Sequence, residues 1–235
     1  MRVGIIQSNY IPWRGYFDFI DDVDLFIYLD DVQFTKRDWR NRNKIKTSNG
    51  LIWLTIPVIF SRNDANTKIE DVEIDYSQDW VSKHINSIVH SYSKATFFEL
   101  YAEEFFELLR QRTETISQLN VSINKWIVQK LGITTEIRMS REFKPKGTRT
   151  NRLIDILRKA GATKYLSGPI AKSYIEVEKL ENAGIGLEYK TYEYKEYPQL
   201  YGKFESYVSV IDLLFNCGED SRKYLKSLKT NEKVF

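Results

Sequence analysis

The fold of this chain is decided by the stretch NRLIDILRKAGATKYLSGPIAKSYIEVEKLENAGIGLEY, residues 151–189, where helical and extended patterns alternate. Each helical pattern ends at a glycine, Gly161 or Gly184, and a short apolar run follows. The pattern predicts strands over 136–139, 164–167 and 187–194 and helices over 150–160 and 173–183. Such alternation is typical of βαβ units, which build a parallel sheet.

The start of the chain has a similar pattern, with a strand predicted over 3–6, a short helix over about 14–21 and a strand over 25–29. Helical spacing in the middle predicts helices over 79–92, 96–111 and 113–131. We therefore expect a single α/β domain over residues 1–235. Its parallel, Rossmann-like sheet would be formed by both ends of the chain, with a helical lobe inserted over about 77–132.

Three further elements are predicted outside these regions. An apolar, β-branched run predicts a strand over 52–58. Helices over about 207–215 and 219–229 would pack on the outside of the sheet. The sequence has no internal repeat or long linker, so we expect the lobe boundaries to be topological and not flexible joints.

Net charge, cysteine count and the lack of long apolar runs exclude several classes of protein. A net charge of +3 does not predict a polyanionic partner for the molecule as a whole. Cys217 is the single cysteine, which excludes an internal disulfide framework and fits a reducing compartment. The sequence has no apolar run of about 18 residues, and its start lacks the pattern of a signal peptide. We expect a cytoplasmic protein without a membrane span.

Polar and aromatic residues follow the predicted strands at the point where each strand ends. Ligands of an open parallel sheet bind beyond the carboxyl ends of its strands, so these residues predict a common pocket. The candidate catalytic residues are Asp30, Asp31, Asn9 and Gln33. The candidate substrate-binding residues are Gln7, Tyr10, Trp13, Tyr16, Lys36, Trp39, Arg40, Arg42, Asn43, Ser167 and Lys172.

Three of these groups have both functional and purely structural interpretations. Asp30 and Asp31 could act as a general base or bind a divalent metal with substrate phosphates, or they could cap a turn. Residues 34–46, FTKRDWRNRNKIK, carry six basic residues that could clamp phosphates or bind RNA, or form a solvated hairpin. Residues 167–174, SGPIAKSY, could hold an anion or simply start a helix.

Other kinds of site are not expected. His84 and His90 are badly spaced on one predicted helix for shared metal ligation, so the sequence predicts no zinc site, and no residue is assigned as a metal ligand. The phosphate-binding patterns GxxxxGK[ST] and GxGxxG do not occur. Cys217 has no histidine nearby in the sequence, which makes it a poor candidate for a nucleophile.

Several stretches together resemble one family over nearly the whole chain. They are QSNYIPWRGYFD, YLDDVQFTKRDWRNRNKIKT with the following WLTIPV, YLSG, and YPQLYGKF with SVIDLLFNCG. On these residues the chain resembles the WbqC-like family of bacterial polysaccharide gene clusters. Members occur with genes for O-antigen and related surface glycans, often where an amino sugar carries an unusual acyl or aminoacyl group.

The resemblance implies a place in cell-surface polysaccharide (O-antigen) biosynthesis. Together with the candidate pocket, it leads to the hypothesis of a cytoplasmic enzyme whose partner is a nucleotide-linked sugar. It would transfer a small acyl or aminoacyl group, such as glycyl, to the amine of a nucleotide-linked amino sugar. The donor could be an activated acyl or aminoacyl compound, or ATP with Mg²⁺ could drive the reaction. The alternative is a non-catalytic protein that binds a nucleotide sugar or a partner enzyme of the same pathway.

The layout of the first loop also resembles that of class I nucleotidylyltransferases and pantothenate-synthetase-like ligases. Those enzymes place a histidine pair after the first strand. Here Asn9, Tyr10 and Tyr16 would have to take that place, so adenylate chemistry stays an open alternative.

Overall fold

The computed structural model describes residues 1–60 and 66–235, which form helices and strands around a mostly parallel sheet. The strands are β1 (Arg2–Ile6), β2 (Leu25–Tyr28), β3 (Arg42–Thr47), β4 (Gly50–Thr55), β5 (Val58–Ile59), β6 (Glu73–Ile74), β7 (Glu136–Met139), β8 (Lys164–Ser167), β9 (Gly186–Tyr189) and β10 (Glu232–Lys233). The helices are α1 (Arg14–Asp21), α2 (Trp80–Tyr92), α3 (Phe98–Arg110), α4 (Ile116–Lys130), α5 (Arg149–Lys159), α6 (Val177–Asn182) and α7 (Val210–Cys217). The predicted α/β fold with a largely parallel sheet is confirmed.

Among the described residues, the main sheet has the strand order β10-β9-β8-β1-β2-β7, in which only β9 and β10 pair antiparallel. Numbered along the chain, its parallel strands follow the order 3-2-1-4-5 that is found in doubly wound sheets. The chain builds outward from β1 on one side and then crosses to β8 on the other side. The carboxyl ends of β1 and β8 therefore flank the switch point, where ligands of such sheets bind.

The two faces of the sheet carry separate apolar clusters because successive side chains of a strand point to opposite faces. Val3 and Ile5 of β1 belong to the cluster that includes α5 and α6. Phe26 of β2 belongs to the larger cluster, which includes α1, α4 and α7. Helix α1 lies so close to β1 that a Cβ atom at Gly4 would lie 2.4 Å from the ring of Phe19. The glycine is required for this contact.

The helices predicted over 79–92, 96–111 and 113–131 are present as α2, α3 and α4. Helix α4 begins with a capping box, in which Thr115 accepts a hydrogen bond from the N–H of Gln118 and Gln118 accepts in return. All three helices contribute to the larger apolar cluster. Among the described residues, none of the helices combines the length and the apolar character that crossing a membrane requires.

The strand predicted over 52–58 is placed differently. Residues 50–55 pair with residues 42–47 in an antiparallel hairpin that is separate from the main sheet. The tight turn is possible because Gly50 adopts a φ of +105°. A run of β-formers predicts extended structure but not the partner strand. The sequence therefore offered a hairpin only as one interpretation of residues 34–46 and did not predict its pairing with residues 50–55.

The carboxyl-terminal part is less regular than predicted. Strand β9 ends at Tyr189, although the pattern continues to residue 194. The next residue, Lys190, is buried and pairs with Asp18 at 2.7 Å and with Asp22 at 2.6 Å, which draws the chain onto α1. The helix predicted over 219–229 is a 3₁₀ helix over Gly218–Tyr224, and α7 starts at Val210 with Ser209 as its cap.

Candidate functional site

The loop after β1 and the basic segment before β3 lie side by side. The backbone N–H of Tyr10 donates to the carbonyl oxygen of Trp39 at 2.9 Å. The Asn43 side chain, which is almost fully buried, donates to the carbonyl oxygens of Tyr10 at 3.1 Å and Ile11 at 2.8 Å. The two segments that the sequence placed in one pocket are therefore tied together directly.

A pocket of about 400 Å³ opens between these two segments. We call it the tryptophan pocket. Its lining residues are Asn9, Pro12, Trp13, Trp39, Asn43, Lys44 and Tyr207. Four of them, Asn9, Trp13, Trp39 and Asn43, are among the candidates that the sequence suggested. The size and the mixture of aromatic walls with a few polar groups are typical of small-molecule sites.

The walls of the tryptophan pocket are held by other rings. The indole of Trp13 lies 5.1 Å from the ring of Tyr192, 5.7 Å from that of Tyr194 and 5.0 Å from that of Tyr207. On the other side, the rings of Trp39 and Trp53 lie 5.5 Å apart. Trp39 remains 43% exposed. Aromatic faces that are fixed and open to solvent suit the stacking of a ligand ring.

Asn9 supplies an unsatisfied acceptor at this site. Its Oδ1 atom is buried and has no hydrogen-bond partner among the described residues, whereas its backbone oxygen accepts from Nδ2 of Asn124 at 3.2 Å. Buried polar atoms are nearly always paired, so an unpaired one on a residue that lines a pocket points to a missing donor. Lys44 adds positive charge, and its ammonium lies 4.9 Å from the ring of Trp53.

Arg40 lies between the first loop and the segment after β8. It pairs with Asp38 at 3.2 Å, while its Nε atom is buried without a partner among the described residues. Burial raises the pKa of the Tyr174 phenol, and the guanidinium of Arg40 lowers it, so the two groups lie within electrostatic reach. Burial likewise raises the pKa of Tyr16, and Arg40 opposes this shift too. Arg40 therefore brings positive charge to the switch point of the sheet.

Gln7, Tyr16 and Tyr10 make their polar contacts within the protein. The Tyr16 hydroxyl, on a side chain that is 4% exposed, donates to the carbonyl oxygen of Gln7 at 2.9 Å. The Tyr10 side chain is fully buried, and its hydroxyl lies 2.9 Å from Nδ1 of His84. The hydroxyls of Tyr10 and Tyr16, both suggested by the sequence for substrate binding, thus contact groups of the protein.

Asp30 lies beneath the first loop and outside the tryptophan pocket. It is fully buried; one carboxylate oxygen accepts from the N–H of Ser8 at 2.8 Å, and the other accepts from the hydroxyl of Ser117. These bonds fasten the loop to α4. Sequence position suggested a ligand-facing carboxylate, but a side chain that follows a buried strand can also turn inward, and Asp30 does so.

Asp31 is also engaged by protein groups. Its carboxylate accepts from the Ser140 hydroxyl at 2.5 Å and forms an ion pair with Arg152. Its side chain is 6% exposed. Asp31 therefore joins the end of β2 to the segment after β7 and to α5, and it does not line the tryptophan pocket. Within the described residues, no three His, Cys, Asp or Glu side chains converge as a metal site.

Three more candidates lie on the surface of the hairpin region or beside it. Gln33 forms a β-bridge with Lys68, and the ammonium of Lys36 lies 4.4 Å from the ring of Phe60. The guanidinium of Arg42 packs 4.3 Å from the ring of Trp53. None of the three lines the tryptophan pocket.

The segment after β8 contributes less than its sequence suggested. Ser167 is buried, and its hydroxyl donates to the Tyr165 hydroxyl at 3.2 Å. Lys172 forms a half-exposed ion pair with Glu232 of β10 at 2.5 Å. Both side chains are thus directed at protein groups in this structure.

Sequence reasoning missed Lys44, Tyr207 and the pair Tyr192 and Tyr194. The two tyrosines belong to the alternating run YKTYEY, residues 189–194, which reads as the continuation of a strand. Tyr207 precedes α7 by three positions and carries no motif. A dense run of tyrosines beyond a strand end was the available signal.

A family model matches residues 7–224 of this chain, and it describes the WbqC-like protein family. The chain belongs to the WbqC-like protein family. The resemblance inferred from the sequence is thereby confirmed. Among curated proteins, this member is similar to the uncharacterized protein Rv1507c of Mycobacterium tuberculosis. The two are 42% identical over 227 residues, which cover 96% of this chain and 97% of the relative. No solved structure matches this chain.

Proposed function

We propose that this WbqC-like protein is a cytoplasmic enzyme of cell-surface polysaccharide biosynthesis. It binds a nucleotide-linked amino sugar and transfers a small acyl or aminoacyl group to the amine of that sugar. The observation that carries the proposal is the tryptophan pocket, which combines aromatic walls, an unpaired amide oxygen and a lysine at the carboxyl edge of the sheet.

The sugar ring would lie against the indoles of Trp13 and Trp39. The apolar faces of sugar rings pack well on indoles, and the polar edge of the ring is left for hydrogen bonds. Oδ1 of Asn9 accepts a hydrogen bond from the sugar amine or from a neighbouring hydroxyl, which satisfies the buried acceptor. This contact orients the nitrogen that reacts.

The diphosphate would lie toward Arg40 and Lys44. Phosphate oxygens that leave water need paired cations or N–H donors, and guanidinium groups form the stronger directed contacts. Arg40 has a buried Nε donor without a described partner, and it lies near the switch point. The nucleotide would then extend past Tyr174, a residue that is 64% exposed as a whole.

In the transfer, the neutral amine attacks the carbonyl carbon of an activated acyl or aminoacyl donor. A new N–C bond forms, and the bond from the carbonyl carbon to the leaving group breaks. The leaving group departs with the electron pair of that bond, and the amine loses one proton to it or to water. The protein contributes mainly by orienting the amine and by excluding water. ATP with Mg²⁺ would serve only to activate the donor.

Calorimetry with dTDP-4-amino sugars tests the binding half of this proposal. We expect Trp39→Ala to weaken binding by ~5-fold, because stacking on an aromatic face contributes on the order of 1 kcal/mol. Leu100→Ala, which removes an exposed apolar side chain on α3, is the matched control and should leave binding unchanged. Equal affinities of both variants would contradict the proposal.

A non-catalytic binding protein of the same pathway is the second candidate. One observation favours it: within the described structure, the residues that line the tryptophan pocket include no carboxylate and no histidine, so the pocket has no obvious general base. Incubation with a dTDP-amino sugar and acyl donors separates the two candidates. An acylated sugar in the product indicates the enzyme; binding without any product indicates the binding protein.

A further inference from the structure

A second pocket, of about 340 Å³, lies between β4 and the start of α2. We call it the Trp80 pocket. Its lining residues are Trp53, Leu54, Thr55, Pro57, Gln78, Trp80, Lys83, His84 and Ser87. None of these residues was singled out as a candidate for ligand binding, and the tryptophan pocket shares none of them.

The two pockets are built on the two strands of one hairpin. Asn43 and Lys44 of β3 line the tryptophan pocket, and their partners across the hairpin, Leu54 and Trp53 of β4, line the Trp80 pocket. Trp39 lines the tryptophan pocket and Trp53 lines the Trp80 pocket, and their rings contact each other at a centroid distance of 5.5 Å. Occupants of the two pockets would therefore lie on either side of a shared wall.

The Trp80 pocket offers hydrogen-bond donors. Trp80 is 3% exposed, and its indole N–H is buried without a partner among the described residues. Lys83, an exposed residue of α2, adds an ammonium at the rim. A buried indole N–H is a pure donor, so only an acceptor atom can satisfy it.

The described lining of the Trp80 pocket carries no negative charge. The described residues that line the Trp80 pocket include no Asp or Glu. The nearest acid in sequence, Asp79, accepts a hydrogen bond from the N–H of Ser82 at 3.2 Å and caps α2. Burial lowers the pKa of His84 to about 4, so this histidine is neutral near pH 7. Lys83 is then the charged group of the lining.

We propose that the Trp80 pocket binds a small organic carboxylate. The carboxylate oxygens accept from the indole N–H of Trp80 and from the Lys83 ammonium, and a short apolar chain packs against Trp53 and Pro57. The pocket volume of about 340 Å³ accommodates a molecule of this size. Binding of the carboxylate stands independently of the proposed transfer.

A role for this ligand rests on the proposed function. If the protein transfers an acyl or aminoacyl group, the carboxylate in the Trp80 pocket is the donor acid or its product. The acceptor sugar lies in the tryptophan pocket across the shared wall. His84 connects the two sides, because its Nδ1 atom lies 2.9 Å from the hydroxyl of Tyr10, the residue after Asn9.

Sodium propionate is the probe, and the indole N–H signals of the ¹⁵N-labelled full chain are the readout. The chain has five tryptophans, and Trp80→Phe assigns the signal of Trp80. We expect propionate to move the Trp80 signal in a saturable way, beyond the effect of equal sodium chloride, while the Trp13 signal stays in place. Lys83→Gln should weaken this binding by ~5-fold, since a charge-assisted contact contributes about 1 kcal/mol at a rim position. Lys94→Gln, at an exposed position just beyond α2, should bind as the original protein does.

Three results would overturn the proposal: a Trp80 signal that does not move, a common shift of all indole signals, or equal binding by Lys83→Gln and Lys94→Gln. No nucleotide sugar is present in this experiment. Failure here therefore leaves the function of the tryptophan pocket intact, and failure of sugar binding at Trp39 leaves the carboxylate site intact.

Discussion

Asn9 and Asn43 are the same residue type in neighbouring segments and both line the tryptophan pocket, yet their side chains differ in how far the protein satisfies their hydrogen bonds. Asn43 belongs to the anchors, which are buried polar groups that fasten the first loop; its Nδ2 donates to two carbonyls and its Oδ1 accepts from the N–H of Lys44 at 2.7 Å. Asn9 belongs to the open pocket, where its Oδ1 is buried without a described partner. Hydrogen-bond satisfaction, and not residue type, distinguishes architecture from a binding site here.

The largest effect should come from an anchor carboxylate. Asp30→Ala removes the acceptor of the Ser8 N–H and of the Ser117 hydroxyl in a fully buried place. We expect the free energy of unfolding to fall by ~3 kcal/mol, because buried donors that lose a charged partner carry the full cost of desolvation. Urea denaturation measures it. Asp220→Ala, which breaks an exposed pair with Lys223, should cost less than ~0.5 kcal/mol. Similar losses in both variants would show that Asp30 is not an anchor.

A second buried polar group that contacts the first loop, His84, should make the stability of the protein depend on pH. Burial lowers the pKa of His84 to about 4 in the folded protein, whereas an unfolded histidine titrates near ~6.5. Because the unfolded chain takes up the proton more readily, the contribution of neutral His84 to the free energy of unfolding is complete above the unfolded pKa. It is lost as the pH falls from about 6.5 toward 4. Between about pH 7 and about pH 5, this group should remove ~2 kcal/mol of stability.

The two histidines of the chain form a matched pair for this measurement. His84→Gln should flatten the fall in unfolding free energy over this range, while His90→Gln, at an exposed position of α2, should keep it. Identical pH profiles for the two variants would mean that His84 is not held neutral by burial. Its contacts with Tyr10 and with the carbonyl oxygen of Thr55 would then contribute little.

The smallest effect is expected for lysines of the basic segment. Lys44 lines the tryptophan pocket, whereas Lys36 lies against Phe60. Lys44→Gln should weaken binding of a dTDP-amino sugar by ~5-fold, since a phosphate contact at a partly exposed site contributes about 1 kcal/mol, and Lys36→Gln should have no effect. If calorimetry shows that Lys36→Gln weakens binding and Lys44→Gln does not, the phosphates bind outside the tryptophan pocket. Strong, salt-sensitive RNA binding that both substitutions weaken would favour a nucleic-acid surface.

The sheet could be predicted from the sequence because its strands are short apolar runs separated by helices that end at Gly161 and Gly184. The pairing of β3 with β4 could not, since period-two patterns carry no information about the partner strand. Because Asn9, Trp13 and Trp39 follow strands of the sheet, the sequence correctly predicted that they lie close together. It could not show that Asp30 turns inward, because the choice depends on Ser8 and Ser117, which are distant from it in sequence.

The most direct test compares Asn9→Ala with Asn43→Ala, each measured for unfolding free energy and for affinity toward a dTDP-amino sugar. Asn43→Ala should lower stability by ~2 kcal/mol, because it leaves buried backbone groups unpaired. Asn9→Ala should change stability by less than ~0.5 kcal/mol and weaken binding by ~10-fold, because its amide oxygen is paired only when the ligand is present. Equal stability losses in the two variants, with sugar affinity unchanged in Asn9→Ala, would contradict the division into anchors and an open pocket.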